Sequence, residues 1–200
     1  EASDDATLIL GMKPGITKEI FLEKVKKNDF DGLFEEKKVK KGDFIDITPG
    51  TVHASLKGSV LFAEVQQNSD VTYRIYDFDR IDKNGKKREL HLQDSADVID
   101  FGKEVEIKNT DFDGSDNGKD ILRKHIIEKE YYSIDKIKFT DSFEDVNNES
   151  MTIYSILEGE GKIVWGENKE LPVKKGETVL IPVGINTKTI GNFEILRTII

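Results

Sequence analysis

The sequence predicts an all-β chain in two lobes, interrupted by short helical insertions, and three observations carry that expectation. From His125 to Ile200, apolar runs alternate with turn residues: Tyr131-Tyr132, Lys136 to Phe139, Met151 to Leu157, Gly161 to Trp165, Thr178 to Pro182 and Phe193 to Ile200. That rhythm is the mark of a β-sandwich. The stretch VKKGDFIDITPGTVHASL (39–56) recurs as VKKGETVLIPVGINTKTI (173–190) at a constant offset with no gap, so one structural unit is used twice. Helical spacing, in contrast, is confined to short stretches at about 16–34 and 95–101. The first lobe is set at residues 1–102 and the second at 103–200.

Taken in order, Thr7 to Leu10 reads as a strand and Gly11 to Gly15 as a turn. Thr17 is placed to cap a helix carrying Ile20, Phe21, Lys24 and Val25, with Ile16 stapled back against it. Asp29 to Phe34 reads as a further helical turn, and the charged runs Glu35 to Lys38 and Lys40-Lys41 as solvated turn edges. Phe44 to Ile47 is a strand, Thr48-Pro49-Gly50 a turn, and a second strand then carries His53.

Ser59 to Val65 reads as an apolar strand delivering Glu64, and Asn68-Ser69-Asp70 as a turn. Thr72 to Phe78 returns as a strand with Thr72, Arg74, Tyr76 and Phe78 on one face and Tyr73, Ile75 and Asp77 on the other. Asp82 to Gly85 signals a hairpin, and Glu89 to Leu92 a strand that sets His91 beside Glu89 on the surface. A short helix, Ser95 to Phe101, closes the first lobe. Asp113, Ser115, Asn117 and Gly118 mimic the start of a calcium loop, but its twelfth position holds Lys124 where a bidentate glutamate is needed, and calcium binding is set aside.

Composition narrows the function. Two hundred residues suffice to bury a sizeable core. The formal charge of -9 and pI near 5.0 oppose any nucleic-acid or anionic-membrane partner, whose phosphates would meet a repulsive field. Without cysteine there is neither a disulfide nor a thiolate zinc site, so a metal would need nitrogen and oxygen ligands. No run reaches transmembrane length and no signal peptide is evident, so a cytoplasmic location is expected.

Chemistry concentrates between Gly42 and Asp79, in His53, Glu64, Asp70 and Arg74. By residue type alone, His53 reads first as an ordinary strand histidine and Arg74 as a surface partner of Asp70 or Asp77. What raises both is a resemblance. Glycine, five residues, proline, one residue, glycine, two residues, histidine resembles the second motif of the cupin superfamily, double-stranded jelly rolls that often hold a metal. The second copy places Pro182 as that motif does, and the first has Pro49 one place late.

EVQQNSDVTYRIYDFDR (64–80) followed by KRELHL (87–92) resembles type I mannose-6-phosphate isomerases of the short bacterial form. The likeness runs from TLILGMKPG at Thr7 to the end, is specific in the first half and weak after about Lys103. It implies a double-stranded β-helix, a zinc ion and a sugar-phosphate substrate. By that resemblance His53 matches the fourth zinc ligand, and Glu64, Asp70 and Arg74 match positions lining the sugar-phosphate site. The family's other three ligands, in a QVHP-like and a KTE-like segment, match nothing here. The chain opens at Glu1 directly before a strand, which suggests the C-terminal two-thirds of a longer isomerase, inactive by itself. With Thr187 at the histidine position of the second copy, the second lobe is expected to be metal-free. The alternative is a sugar-phosphate-binding or structural double-cupin module without catalysis.

Overall fold

The structure is a computed structural model that describes residues 1–77, 80–81, 83–112, 120–146 and 149–200. Phe78 and Asp82, and the calcium-like residues Asp113, Ser115, Asn117 and Gly118, lie outside them. The chain divides into two compact units, Glu1–Asn109 and Thr110–Ile200. The division falls later than residue 102 because a strand at Ile107–Asn109 pairs back onto Asp43–Ile45 and so belongs to the first unit.

The first unit runs β1 (Thr7–Met12), α1 (Lys18–Lys26), β2 (Phe34–Lys38), β3 (Asp43–Ile45), β4 (His53–Lys57), α2 (Leu92–Val98) and β5 (Ile107–Asn109). β1 is the centre of an antiparallel sheet ordered β2-β1-β4, and β3 pairs with β5. Thr17 caps α1 as expected, its hydroxyl accepting from the Ile20 N–H at 3.4 Å. Phe21 and Val25, one turn apart, face a core with Met12, Leu33 and Ala96, against which Ile16, Val52, Ile75, Leu92 and Ile99 pack.

Several expectations for this unit fail for physical reasons. Only Lys18–Lys26 of the expected insertion is helical; Asp31 to Leu33 turn, and the charged run Phe34–Lys38 is strand β2. It sits at the sheet edge, where exposed lysines and glutamates are tolerated because one side faces water and they deter further pairing. Residues 61–77 and 89–91 form no strand. Val60 makes one bridge, to Ala2, Leu61 exchanges backbone hydrogen bonds with Glu1, and from Phe62 to Asp77 no ladder forms among the described residues. Strand propensity is realised only against a neighbouring strand. Leu61 and Phe62 are 68% and 61% exposed as a result.

The second unit runs β6 (Ile121–Glu128), β7 (Ser133–Phe139), β8 (Ser142–Asp145), β9 (Thr152–Trp165), β10 (Lys169–Lys174), β11 (Thr178–Ile181) and β12 (Thr187–Ile199). The sheet is ordered β10-β9-β12-β7-β6, with β11 also on β9 and β8 also on β12, all antiparallel. The inward residues of these strands, among them Ile137, Phe139, Phe143, Tyr154, Ile156, Ile163, Phe193 and Ile195, form one core. This unit is all-β, as the sequence predicts.

The two strands expected at 151–157 and 161–165 are one, β9, of 14 residues. Gly159 and Gly161, which invite a turn, instead allow close approach of β12: a Cβ on Gly159 would lie 1.9 Å from the Asn192 carbonyl oxygen, and one on Gly161 2.1 Å from that of Ile190. Tyr131-Tyr132 is the turn between β6 and β7, closed by the Lys129 N–H donating to Tyr132 O at 2.8 Å. Among the described residues, no helix is long and apolar enough to cross a membrane.

Candidate active site

His53 opens β4, opposite Leu10 of β1. Its neighbour Val52 packs into the core, and strand alternation turns the imidazole outward, where it is exposed. Nδ1 lies 3.0 Å from the Thr51 carbonyl oxygen. A carbonyl only accepts, so Nδ1 carries a proton, and in the neutral ring Nε2 then keeps its lone pair. Metal-bound histidines share that arrangement, in which a backbone carbonyl fixes the tautomer and the ring orientation.

Arg74 is half-buried, and its neighbour Ile75 packs against the core that includes α1 and α2 residues. The face assignment made from alternation does not carry over, because no strand forms and Tyr76, expected on the face opposite Ile75, packs on Phe30 of the same core. Asp77, one of the two carboxylates expected to pair with Arg74, is taken by Arg88: Arg88 Nε donates to Asp77 Oδ2 at 2.6 Å and Nη2 donates to Oδ1. The Arg88 hydrogen bond holds the Asp77 carboxyl below the usual carboxylate range. The Arg74 guanidinium donates from Nη1 to the Glu89 carbonyl oxygen at 3.2 Å.

Glu64 and Asp70 are exposed on the irregular stretch that replaces the expected hairpin. Among the described residues, no hydrogen bond or ion pair joins any two of His53, Glu64, Asp70 and Arg74. A cleft in this unit is lined by Asn28, Tyr76, Asp77, Arg80, Lys87, Arg88 and Leu90, and contains none of the four.

The element that relates His53 to Arg74 is α2. At its C-terminal end the Asp100 N–H donates to the Gly50 carbonyl at 3.0 Å, which pins the turn leading into His53. Gly50 has φ +82° and lies so close that a Cβ there would be 2.7 Å from the Val98 carbonyl oxygen. At the N-terminal end stands His91, the N-cap. The Arg74 N–H donates to His91 Nδ1 at 3.0 Å, and the His91 N–H donates to the Arg74 carbonyl at 2.8 Å. The seven residues of α2 rise about 10 Å along the axis, so the two anchored segments are held at the two ends of a short rigid spacer.

The sequence reading missed this use of His91, placing it on a strand beside Glu89. The signal was present: Leu92, Ala96 and Ile99 follow helical spacing from one residue after His91, which makes His91 the cap rather than a strand residue.

A zinc centre requires several nitrogen and oxygen ligands converging on one point. Among the described residues no three of His, Asp and Glu do so. His53 fits as one corner of such a centre, with a fixed ring and a bare Nε2, and the residues present fit no more of it than that.

The family model "Mannose-6-phosphate isomerase, cupin domain" matches residues 122–200, in the half where the sequence resemblance was weakest. Mannose-6-phosphate isomerase ManA of Bacillus subtilis (strain 168) is 38% identical over 185 residues, covering 92% of this chain and 57% of that protein. Mannose-6-phosphate isomerase of Streptococcus mutans is 31% identical over 198 residues, covering 98% of this chain and 60% of that one. The crystal structure of the mannose 6-phosphate isomerase from Bacillus subtilis superposes with a TM-score of 0.81 at 31% identity, covering 100% of this chain and 62% of that chain. The chain thus spans 57–60% of the length of these two curated relatives. Its sequence and its fold agree that it belongs to the mannose-6-phosphate isomerase family, aldose-ketose isomerases of the cupin superfamily.

Proposed function

We propose that these residues form the C-terminal portion of a cytoplasmic, zinc-dependent isomerase interconverting mannose 6-phosphate and fructose 6-phosphate. The observation that carries this reading is His53, a ligand-type histidine with its Nε2 lone pair presented outward, in a chain 38% identical to an isomerase over 185 residues.

The reaction moves a proton between adjacent carbons through an enediolate, so negative charge develops on two neighbouring oxygens. A bound zinc would supply Lewis-acid stabilisation of that charge. His53 would hold it as one of several ligands, its ring oriented by the Thr51 carbonyl. Arg74, a permanent planar cation, would bind the phosphate or an oxyanion. Glu64 and Asp70, both acceptors, would orient sugar hydroxyls. The second unit, with Thr187 where the first has His53, would hold no metal.

The absence of a three-ligand cluster among the described residues favours one other reading, a sugar-phosphate-binding double cupin without catalysis. A chimera separates the two, with these 200 residues replacing the matching part of Bacillus subtilis ManA. Turnover of mannose 6-phosphate, lost with zinc in His53→Ala, is the expected result. A folded chimera that retains zinc and turns nothing over overturns the catalytic reading. The 200-residue chain alone is expected to lose zinc on dialysis against a weak chelator, because affinity comes from several ligands fixed together. Stoichiometric retention would contradict the incomplete ligand set.

A further inference from the structure

We propose that His91 is a positioning residue for Arg74, acting through its imidazole Nδ1. The inference deepens the functional reading of Arg74 and rests on it. Arg74 stands in a stretch, residues 61–77, that contains no strand, so no ladder fixes its backbone. Two bonds do so instead. Arg74 N–H donates to His91 Nδ1 at 3.0 Å, and His91 N–H donates to Arg74 O at 2.8 Å, closing a ring across 17 residues of sequence. The guanidinium is held on the same segment, by the Glu89 carbonyl at 3.2 Å. Tyr73 lies edge-on to the imidazole with ring centroids 6.1 Å apart.

The geometry dictates the tautomer. An N–H donor needs a bare Nδ1, so the proton of neutral His91 is on Nε2, the reverse of His53. The side chain of His91 thus does for Arg74 what a strand partner would do. Its backbone is in turn fixed by α2, which His91 caps. A displacement of about 1 Å at a substrate-positioning cation costs on the order of a hundredfold in rate, which gives this tie a catalytic consequence.

The test exploits a stereochemical coincidence. Asparagine places an acceptor oxygen where histidine has Nδ1, whereas glutamine places it one bond farther, where histidine has Nε2. In the 200-residue chain, long-range proton–nitrogen correlation spectra should show His91 protonated at Nε2 and His53 at Nδ1. Amide exchange at Arg74 should accelerate about tenfold in His91→Gln and stay near wild type in His91→Asn, both with a dispersed, folded spectrum. In the ManA chimera, His91→Gln should lower kcat/KM for mannose 6-phosphate about tenfold to a hundredfold at unchanged zinc content, and His91→Asn should restore it. A proton on His91 Nδ1, or equal behaviour of the two variants at the Arg74 amide, overturns the proposal. If Arg74→Ala leaves turnover intact, the functional reading of Arg74 falls, while the exchange and tautomer results still report on the tie itself.

Discussion

The two copies of the repeat have the same backbone and different chemistry. Gly42 and Gly176 have φ +86° and +87°, and Gly50 and Gly184 have φ +82° and +79°, so each copy makes the same two left-handed turns before a strand begins. In the first unit that strand is β4, of five residues, and its first residue, His53, is exposed with a bare Nε2. In the second it is β12, of 13 residues, and its first residue, Thr187, is buried. Its hydroxyl lies 3.5 Å from that of Tyr154, which donates to Asp145 Oδ2 at 2.6 Å. Arg197 closes the group with two bonds to the same carboxylate, from Nε at 2.5 Å and Nη2 at 2.7 Å. The turns therefore specify where the strand starts. What its first side chain does depends on whether the neighbouring strands supply partners for it.

That difference predicts unequal costs of removal. Arg197→Met leaves the Asp145 carboxylate buried with only the Tyr154 hydroxyl as side-chain partner among the described residues, and breaking a buried pair in this way costs about 3–5 kcal/mol. Trp165 is the sole tryptophan and lies on β9 of the second unit, so urea unfolding followed by its fluorescence reports on that unit. His53→Ala, at an exposed side chain, should shift the first unit by no more than about 0.5 kcal/mol, read by far-ultraviolet circular dichroism. A loss below about 1 kcal/mol for Arg197→Met would mean that water reaches Asp145 and that the two positions are not energetically distinct.

How much of this was legible in the sequence follows from what each feature depends on. The helix at Thr17, the strands expected at 136–139, 178–182 and 193–200 and the equivalence of the two copies rest on local pattern, and the structure has them, the strands on β7, β11 and β12. The strands expected at 59–65 and 72–78 rest on a partner strand, which alternation cannot supply. Their side chains are accordingly left exposed at Leu61, Phe62 and Tyr73. At the candidate site, His53 and Arg74 were singled out only through family likeness. The role of His91 required the start of α2, which the reading placed at Ser95 in place of Leu92. The Asp145–Arg197 pair spans 52 residues, and nothing local announces it.

The next effect is an alkaline one. Burial pushes the Tyr154 hydroxyl well above its usual range, and the adjacent Asp145 carboxylate raises it further. The folded state thus holds a proton that the unfolded chain releases near pH 10, and the associated stability, complete below that pH, is lost as pH rises beyond it. Tyr154→Phe should cost about 1.5–3 kcal/mol at neutral pH through the lost bond to a charged acceptor. It should also flatten the stability of the second unit between about pH 10 and 11, where wild type declines. An equal decline in both proteins would assign the alkaline loss to other groups.

The smallest effect tests the repeat itself. Gly50→Ala and Gly184→Ala impose the same left-handed strain, about 1–2 kcal/mol, because the two φ angles agree within a few degrees. Only Gly50 has a neighbour in the way: its Cβ would meet the Val98 carbonyl at 2.7 Å and the Asp100 nitrogen at 3.3 Å, whereas nothing lies within 4 Å at Gly184. Gly50→Ala should therefore exceed Gly184→Ala by about 1 kcal/mol. It should also displace the turn that feeds His53, visible as loss of exchange protection at the Asp100 amide, which donates to Gly50 O. Equal costs with an unaltered Asp100 amide would show that α2 does not brace this turn, and that His53 is placed by β1 alone.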